Sequence, residues 1–422
     1  MRTALAPVAA LLLSVAFLLM GNGLQGTLLP LRASVEVFSD FEIGVLGSAY
    51  YLGFAAGCLY GARVIRRAGH IRTFTAMVAV ASAVALAHAL VLNPYVWWGL
   101  RAASGFCVAV LFMVIESWLN ERASNENRGT VFSVYAMINL TVMSLGQLML
   151  TLDDPGDFPL FSVASILVSL AAVPVAMTRA QAPAPVASVR IRFGYLYRLS
   201  PVGFIGCLSV GTANGALWSL GPVFASSVGQ STTLVALFMS VVVISGALGQ
   251  WPLGRLSDKL DRRRIIAIGC LGAALAGLGL FLLPPLWSWS LLPLAAAYGF
   301  FALPVYSISV ANMNDFVDPD GFVEASSGLL LVFATGAATG PMLASLIIWV
   351  SDEASLFAFT AAVHLSMAVF ALHRRRRRAR APEEERAAFA EANLAAQTVA
   401  PFDPQSVEEE GQAEDERATH SG

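Results

Sequence analysis

Charge is scarce in this sequence. Asp, Glu, Lys and Arg make up 13% of its 422 residues, about half the share of an ordinary soluble domain, while hydrophobic residues reach 57% and mean hydropathy is +0.68. A soluble fold of that composition would have too little polar surface to cover itself. The few charges are also unevenly spread: acids crowd after Pro382 and arginines sit in short segments between apolar runs, which leaves no basic face for nucleic acid. Cysteine is equally sparse. Cys58, Cys107, Cys207 and Cys270 lie in apolar stretches without pairing or metal-like spacing, so they read as small packing residues rather than a disulfide or metal framework. No glycine-rich phosphate loop and no catalytic triad pattern occurs, which removes support for ATP-driven or hydrolytic chemistry. Neither a cofactor nor a metal is expected, and the chain is not read as an enzyme.

What the sequence has is long apolar runs. About twelve approach the roughly 20 residues that cross a bilayer: 7–30, 43–62, 73–92, 96–118, 129–151, 158–178, 200–225, 232–252, 265–284, 289–312, 324–348 and 354–372. They are expected to be helices, because an open sheet cannot satisfy its backbone in lipid. The first run is too long for a signal peptide core and ends without a small-residue cleavage site. With both termini cytoplasmic, Arg63, Arg66, Arg67, Arg72, Arg122, Arg128, Arg179, Arg190, Arg192, Arg198, the Arg255 to Arg264 cluster and Arg374 to Arg378 all fall inside. Only Arg32 falls outside and only Arg101 within a span, so the positive-inside rule orients the chain with both termini cytoplasmic, and a bacterial inner membrane is its expected location.

The spans divide six and six about a Pro- and Arg-containing stretch. The expected organisation is therefore an N-terminal half (1–178), a linker (179–199), a C-terminal half (200–373) and a basic then acidic tail (374–422) whose arginines meet anionic lipid headgroups and whose remainder lacks the apolar content for a core. An internal repeat supports the division. Asn22-Gly23 with Pro30 recurs as Asn214-Gly215 with Pro222, Gly57 as Gly249 and Asn120 as Asn312, all at an offset of 192 residues. Two parallel six-span halves with a substrate site near the midplane are a recurrent transporter plan.

Between two apolar runs, Gly249 to Arg264 (GQWPLGRLSDKLDRRR) reads as a charged cytoplasmic hairpin. Its Gly254, Leu256, Asp258, Lys259, Asp261, Arg262 and Arg263 resemble the loop signature of the major facilitator superfamily. With GNGLQGTLLPLR (21–32), GHIRTF (69–74), ESWLNE (116–121), RGTVFSVY (128–135), GQLML (146–150) and VANMND (310–315), the chain resembles the YcaD-like branch of that superfamily across all twelve spans. The resemblance implies an all-α membrane fold and transport, without naming a substrate. The first-half loop, Gly61 to Gly69, departs from the signature, having no Asp where Asp258 stands in the second half.

Ionisable groups inside a span are expensive and usually functional. Arg101, with Gly105 and Ala109, resembles the Arg-x-x-x-Gly pattern of proton-coupled members, where a cavity-facing cation binds an anion or acts on a carboxylate; the alternative is an arginine that snorkels outward. Glu116 reads first as part of an ion-pair network with Asn120, Glu121, Arg122 and Arg128 that belongs to the cytoplasmic gate, and second as a proton site. His88 and His364 read as packing before proton relay. Asn22 and Gln25 on span one, Asn139 and Gln147 on span five, and Asn214 and Trp218 on span seven come from helices that line the central cavity in the resembled fold. Interhelical hydrogen bonding is their alternative. Gly336-x-x-x-Gly340-Pro341 resembles an antiporter motif but stands in the wrong half, so close helix packing is expected there.

Gating is expected at the cytoplasmic end. The resembled fold implies that Asp258 meets Arg128 and the positive end of span five, with Gly254, Arg262 and Arg263 shaping the loop and Glu324 supplying a carboxylate to Arg66 or Arg67. The function expected is secondary active transport of a small solute by alternating access, coupled to protons. Passive facilitation, or a receptor or scaffold that kept the fold, are the competing readings.

Overall fold

The computed structural model describes residues 8–122, 128–177, 191–229, 231–284, 286–317 and 321–377. These residues form helices and no strand. In order they are α1 (Ala9–Val35), α2 (Asp40–Ala68), α3 (His70–Leu90), α4 (Pro94–Arg122), α5 (Arg128–Leu148), α6 (Pro159–Leu170) with α7 (Ala172–Ala176), and α8 (Phe193–Leu199). There follow α9 (Pro201–Gly229), α10 (Thr232–Lys259), α11 (Arg262–Leu282), α12 (Leu291–Ala302) with α13 (Pro304–Asn314), α14 (Phe322–Trp349) and α15 (Ser355–Arg377). Among the described residues, eleven segments are long and apolar enough to cross a membrane. Helix α9 equals them in length and carries no charge, but its glycines, serines and Asn214 dilute its hydropathy. Counting α9, the described residues place a helical segment at each of the twelve expected runs.

Two traverses are broken where proline dictates. Pro174 and Pro304 lack the N–H that would bond the carbonyl four residues earlier, so α6 gives way to α7 and α12 to α13. Other ends are set by polar residues. Ser39 caps α2 by accepting from the Glu42 N–H while the Glu42 carboxylate accepts from the Ser39 N–H. Gly69, at φ 81°, makes the single-residue turn from α2 to α3, a backbone conformation open to glycine at no steric cost.

The Gly249 to Arg264 hairpin is corrected by the structure. Helix α10 continues to Lys259, so Gly254 and Asp258 are helical rather than in a loop, and the turn is only Leu260 and Asp261 before Asp261 caps α11. A helix need not stop where the apolar run stops. Beyond it, polar side chains reach water while the backbone keeps its own hydrogen bonds.

Packing repeats between the two parts of the chain. Helix α1 packs on α5, α2 on α4 and α3 on α6; correspondingly α9 packs on α14, α10 on α12 and α11 on α15. Small residues allow these approaches. A Cβ on Gly23 would overlap Met143, and Cβ atoms on Gly211, Gly215, Gly336 and Gly340 would overlap backbone across the α9–α14 contact. The glycines of Gly336-x-x-x-Gly340 therefore serve helix packing. All four cysteines are buried in such contacts. His88 and His364 are packing residues as well: each Nδ1 lies 2.7 Å from the carbonyl four residues earlier, with the ring edge-on to Trp97 or Tyr298.

The turns α2–α3 and α10–α11 lie at one end of the bundle, which carries Arg66, Arg67, Arg72, Arg255 and Arg262 to Arg264. At the opposite end Arg32 is held by Glu36 at 2.7 Å and by the Pro155 carbonyl. Exposed Tyr95, Trp287, Trp289 and Trp349 girdle this arginine-poor end, as aromatics do at a membrane interface. Exposed Leu52, Leu248, Leu275 and Val369 cover the flanks, as lipid-facing side chains would. The two parts join mainly through α2 against α14, α5 against α10 and α1 and α2 against α9. Toward the arginine-poor end one hydrophobic cluster includes both parts, from Leu24, Leu28 and Leu46 to Leu217, Leu220 and Phe224. Toward the arginine-rich end the apolar core falls into three clusters, one of them formed mainly by α1 to α5 together with Leu330 and Leu331 of α14.

Candidate functional site

A cavity of about 120 Å³ lies where six helices from both parts meet. Its wall takes Asn22, Gly26 and Pro30 from α1, Leu46, Gly47, Tyr50 and Tyr51 from α2, and Arg101 from α4. Met143 and Gln147 of α5, Trp218 and Ser219 of α9, and Met239 of α10 complete it. Asn22, Gly26 and Pro30 are spaced by four, which puts them on one helix face. Opposite them Gly146 packs against the Met20 backbone, and this close contact turns its neighbour Gln147 toward the cavity.

Arg101 is the one charged side chain in that wall. Its guanidinium carbon stands 4.4 Å above the centre of the Tyr50 ring, and Asn22 hydrogen-bonds the Tyr50 hydroxyl. Arg101 thus faces inward, into the cavity wall. Arg101 Nη1 and Gln147 Oε1 are buried without hydrogen-bond partners, which leaves one cationic donor and one amide-oxygen acceptor unsatisfied in the cavity wall.

Of the sequence candidates, Asn22, Arg101, Gln147 and Trp218 come together here. Gln25 and Asn214 are buried in α1 and α9 but do not line the cavity. Asn139 lies elsewhere on α5, hydrogen-bonded to Tyr135, whose hydroxyl reaches Glu116 at 3.4 Å. Glu116 is 3% exposed and sits at the far end of α4 from Arg101. Its expected neighbour Arg128 has no described side chain. Tyr50, Tyr51, Ser219, Met143 and Met239 were missed. Adjacent tyrosines within an apolar run were the one available signal, since each brings a hydroxyl that needs a partner.

The gating expectations change in detail. Glu324 pairs with Arg192, bidentately and at 3.0 Å, and not with Arg66 or Arg67; its position at the start of α14 brings it beside the segment leading into α8. Arg262, 2% exposed, is held by Asp315 at 2.9 Å and by Asp258 at 3.2 Å, which ties the α10–α11 turn to the end of α13. Arg263 is held by its neighbour Asp261 at 3.0 Å. The contact expected between Asp258 and Arg128 lies outside the described residues. Burial pushes the Asp315 carboxyl up to about 6, with Asp258 and Asp261 adding to the rise and Arg262 opposing it. Asp315 was not singled out from the sequence, because its partner is 53 residues away.

The profile of the Major Facilitator Superfamily matches residues 11–321 and 204–408. This chain belongs to that superfamily. Among curated relatives, an uncharacterized MFS-type transporter of Yersinia enterocolitica is 25% identical over 386 residues, 91% of this chain and 98% of its own. The uncharacterized MFS-type transporter YcaD of Escherichia fergusonii is 26% identical over 359 residues, 85% of this chain and 93% of its own. Among solved structures, the nucleoside transporter NupG matches with a TM-score of 0.74 at 13% identity, covering 87% of this chain and 98% of that one. A bacterial homologue of the human lysosomal transporter Spinster, inward-facing and occupied, matches at 0.68 with 16% identity, covering 94% and 98%. The chain is therefore a multi-pass membrane protein of a transporter family, with the facilitator fold, and a small-molecule substrate follows from that kinship.

Proposed function

We propose that this facilitator is a secondary active transporter of a small solute in a bacterial inner membrane, working by alternating access and driven by protons. The observation that carries the reading is the cavity: both parts of the chain contribute to its wall, so any rocking between 1–178 and 200–373 changes which side it opens to. At about 120 Å³ it is smaller than the roughly 300 Å³ at the low end of ligand pockets, which fits a site that must widen to load. The apolar cluster shared across both parts at the arginine-poor end favours a state closed on that side, which the arginine distribution makes the outer one with both termini cytoplasmic.

Glu116 is the proposed proton carrier. It is a buried acid on the helix that bears Arg101, 15 residues or about 22 Å along its axis, and its contact with the Tyr135 hydroxyl links α4 to α5. The test needs no substrate. A cysteine at Gly26, where a side chain meets no atom within 4 Å, is exposed to membrane-impermeant maleimide from either face of oriented vesicles. Labelling from both faces, with a ratio that shifts under an imposed pH gradient in wild type but not in Glu116→Gln, is expected. Labelling from one face only would turn the assignment to a receptor or scaffold. A ratio that ignores the gradient would leave a passive facilitator.

A further inference from the structure

We infer that the solute is an organic monoanion, a carboxylate on a flat or apolar body, held by Arg101 and enclosed by Tyr50, Tyr51 and Trp218. The inference rests on the transporter reading and adds the chemical class. Its first ground is charge. Among the residues lining the cavity, Arg101 is the only one ionised at neutral pH, and no acidic side chain lies in the wall. A guanidinium does not shed its proton in proteins, so the cavity carries one positive charge whether or not it is filled.

The second ground is hydrogen bonding. Arg101 stands over the face of the Tyr50 ring, which satisfies the charge in part but takes up no N–H, and Nη1 is buried without an acceptor. Gln147, 1% exposed, likewise presents its amide to the cavity with the oxygen unpaired. The guanidinium N–H groups and the Ser219 hydroxyl are donors, and a carboxylate offers acceptors for them, while the Gln147 oxygen, itself an acceptor, is left to take a donor from elsewhere on the solute. A neutral sugar or amide could offer Arg101 an oxygen acceptor but no charge to compensate the buried guanidinium. A cation would meet it directly.

The third ground is shape. Tyr50, Tyr51 and Trp218 give the cavity flat aromatic walls, and Leu46, Met143 and Met239 give it apolar, deformable ones. Such a lining favours a body that buries carbon rather than a polyhydroxylated one.

The test uses three isosteric pairs of probes on the purified full-length protein in nanodiscs: benzoate and phenylacetate, their amides benzamide and phenylacetamide, and the amines benzylamine and phenethylamine. Tryptophan fluorescence, which Trp218 reports from the cavity wall, and thermal stability are read together. The acids are expected to bind at least tenfold more tightly than the amides, and the amines not at all. Arg101→Ala should weaken the acids at least tenfold while leaving the amides unchanged, and Arg101→Lys should restore part of the loss, because a point charge cannot give a bidentate fork. Should Arg101→Ala fail to fold, the acid-to-amide ratio in wild type and the Arg101→Lys value still decide. Equal binding of acids and amides, acid binding unaffected by Arg101→Ala, or no binding of either acid overturns the inference. The Gly26→Cys labelling reads the transporter assignment separately: two-faced labelling without acid binding rejects the anion alone, and one-faced labelling rejects the transporter reading beneath it.

Discussion

A single methyl group on α4 should be enough to damage both the fold and the cavity. Gly105 faces α2, and a Cβ there would overlap the Tyr50 carbonyl oxygen; reciprocally, a Cβ on Gly53 would overlap the Ala102 carbonyl oxygen. Both obstacles are backbone, so no rotamer change relieves them and the helices must part. Overpacking of this kind costs about 1–3 kcal/mol, and the upper end applies where two main chains are in contact. The same displacement draws the Tyr50 ring away from Arg101, now 4.4 Å from its centre, and forfeits a cation–π contact of about 0.5–2 kcal/mol. Gly99 is the control. It lies on the same helix, yet nothing stands within 4 Å of its would-be Cβ, so Gly99→Ala should be neutral or gain about 0.5–1 kcal/mol from helix propensity. Gly105→Ala is therefore expected to be less stable than Gly99→Ala by about 1.5–6 kcal/mol, with Gly99→Ala at or above wild type. Reversible unfolding in mixed detergent micelles with increasing dodecyl sulfate, followed by tryptophan fluorescence, measures the gap. Two alanine variants of equal stability would refute the idea that glycine sets the α2–α4 approach.

Further measurements bear on the charged end and on orientation. Because the folded pKa of Asp315 is raised to about 6 from 3.8, its ionisation opposes folding: its contribution is full below about pH 4 and is lost as pH rises through about 6. Wild type should then lose up to about 3 kcal/mol between pH 4 and pH 7 relative to Asp315→Asn, and parallel stability curves for the two would show that Asp315 is not responsible. Glu324→Gln breaks a pair whose arginine is 56% exposed, so stability should fall by no more than about 1 kcal/mol while proteolysis near Arg192 speeds up; a larger stability loss would mean that the pair is a structural anchor. Reporter fusions at Gly422 should be active only with a cytoplasm-sensing reporter, and an active periplasmic reporter would overturn the orientation drawn from the arginines.

Sequence alone determined a good deal here. Apolar runs of bilayer length admit only helices, because lipid offers no partner to an unpaired backbone, and so the traverses could be located from composition and length. The motif of Gly254 to Arg263 and the 192-residue repeat carried the family, and Arg101 stood out because a charge in an apolar run is costly. The helix ends escaped, since past the apolar run nothing in composition says where a solvated helix stops; Lys259 illustrates this. Tertiary structure alone decided which neutral polar residues face one another. Gln25 and Gln147 look alike in sequence, both amides in apolar helices, yet only Gln147 lines the cavity, because Gly146 beside it is pressed against Met20. The partners of Glu324, Arg262 and Asp315 were likewise a matter of packing: charges join whichever opposite charge the folded chain brings within about 3 Å, and separation along the sequence carries no information about that distance.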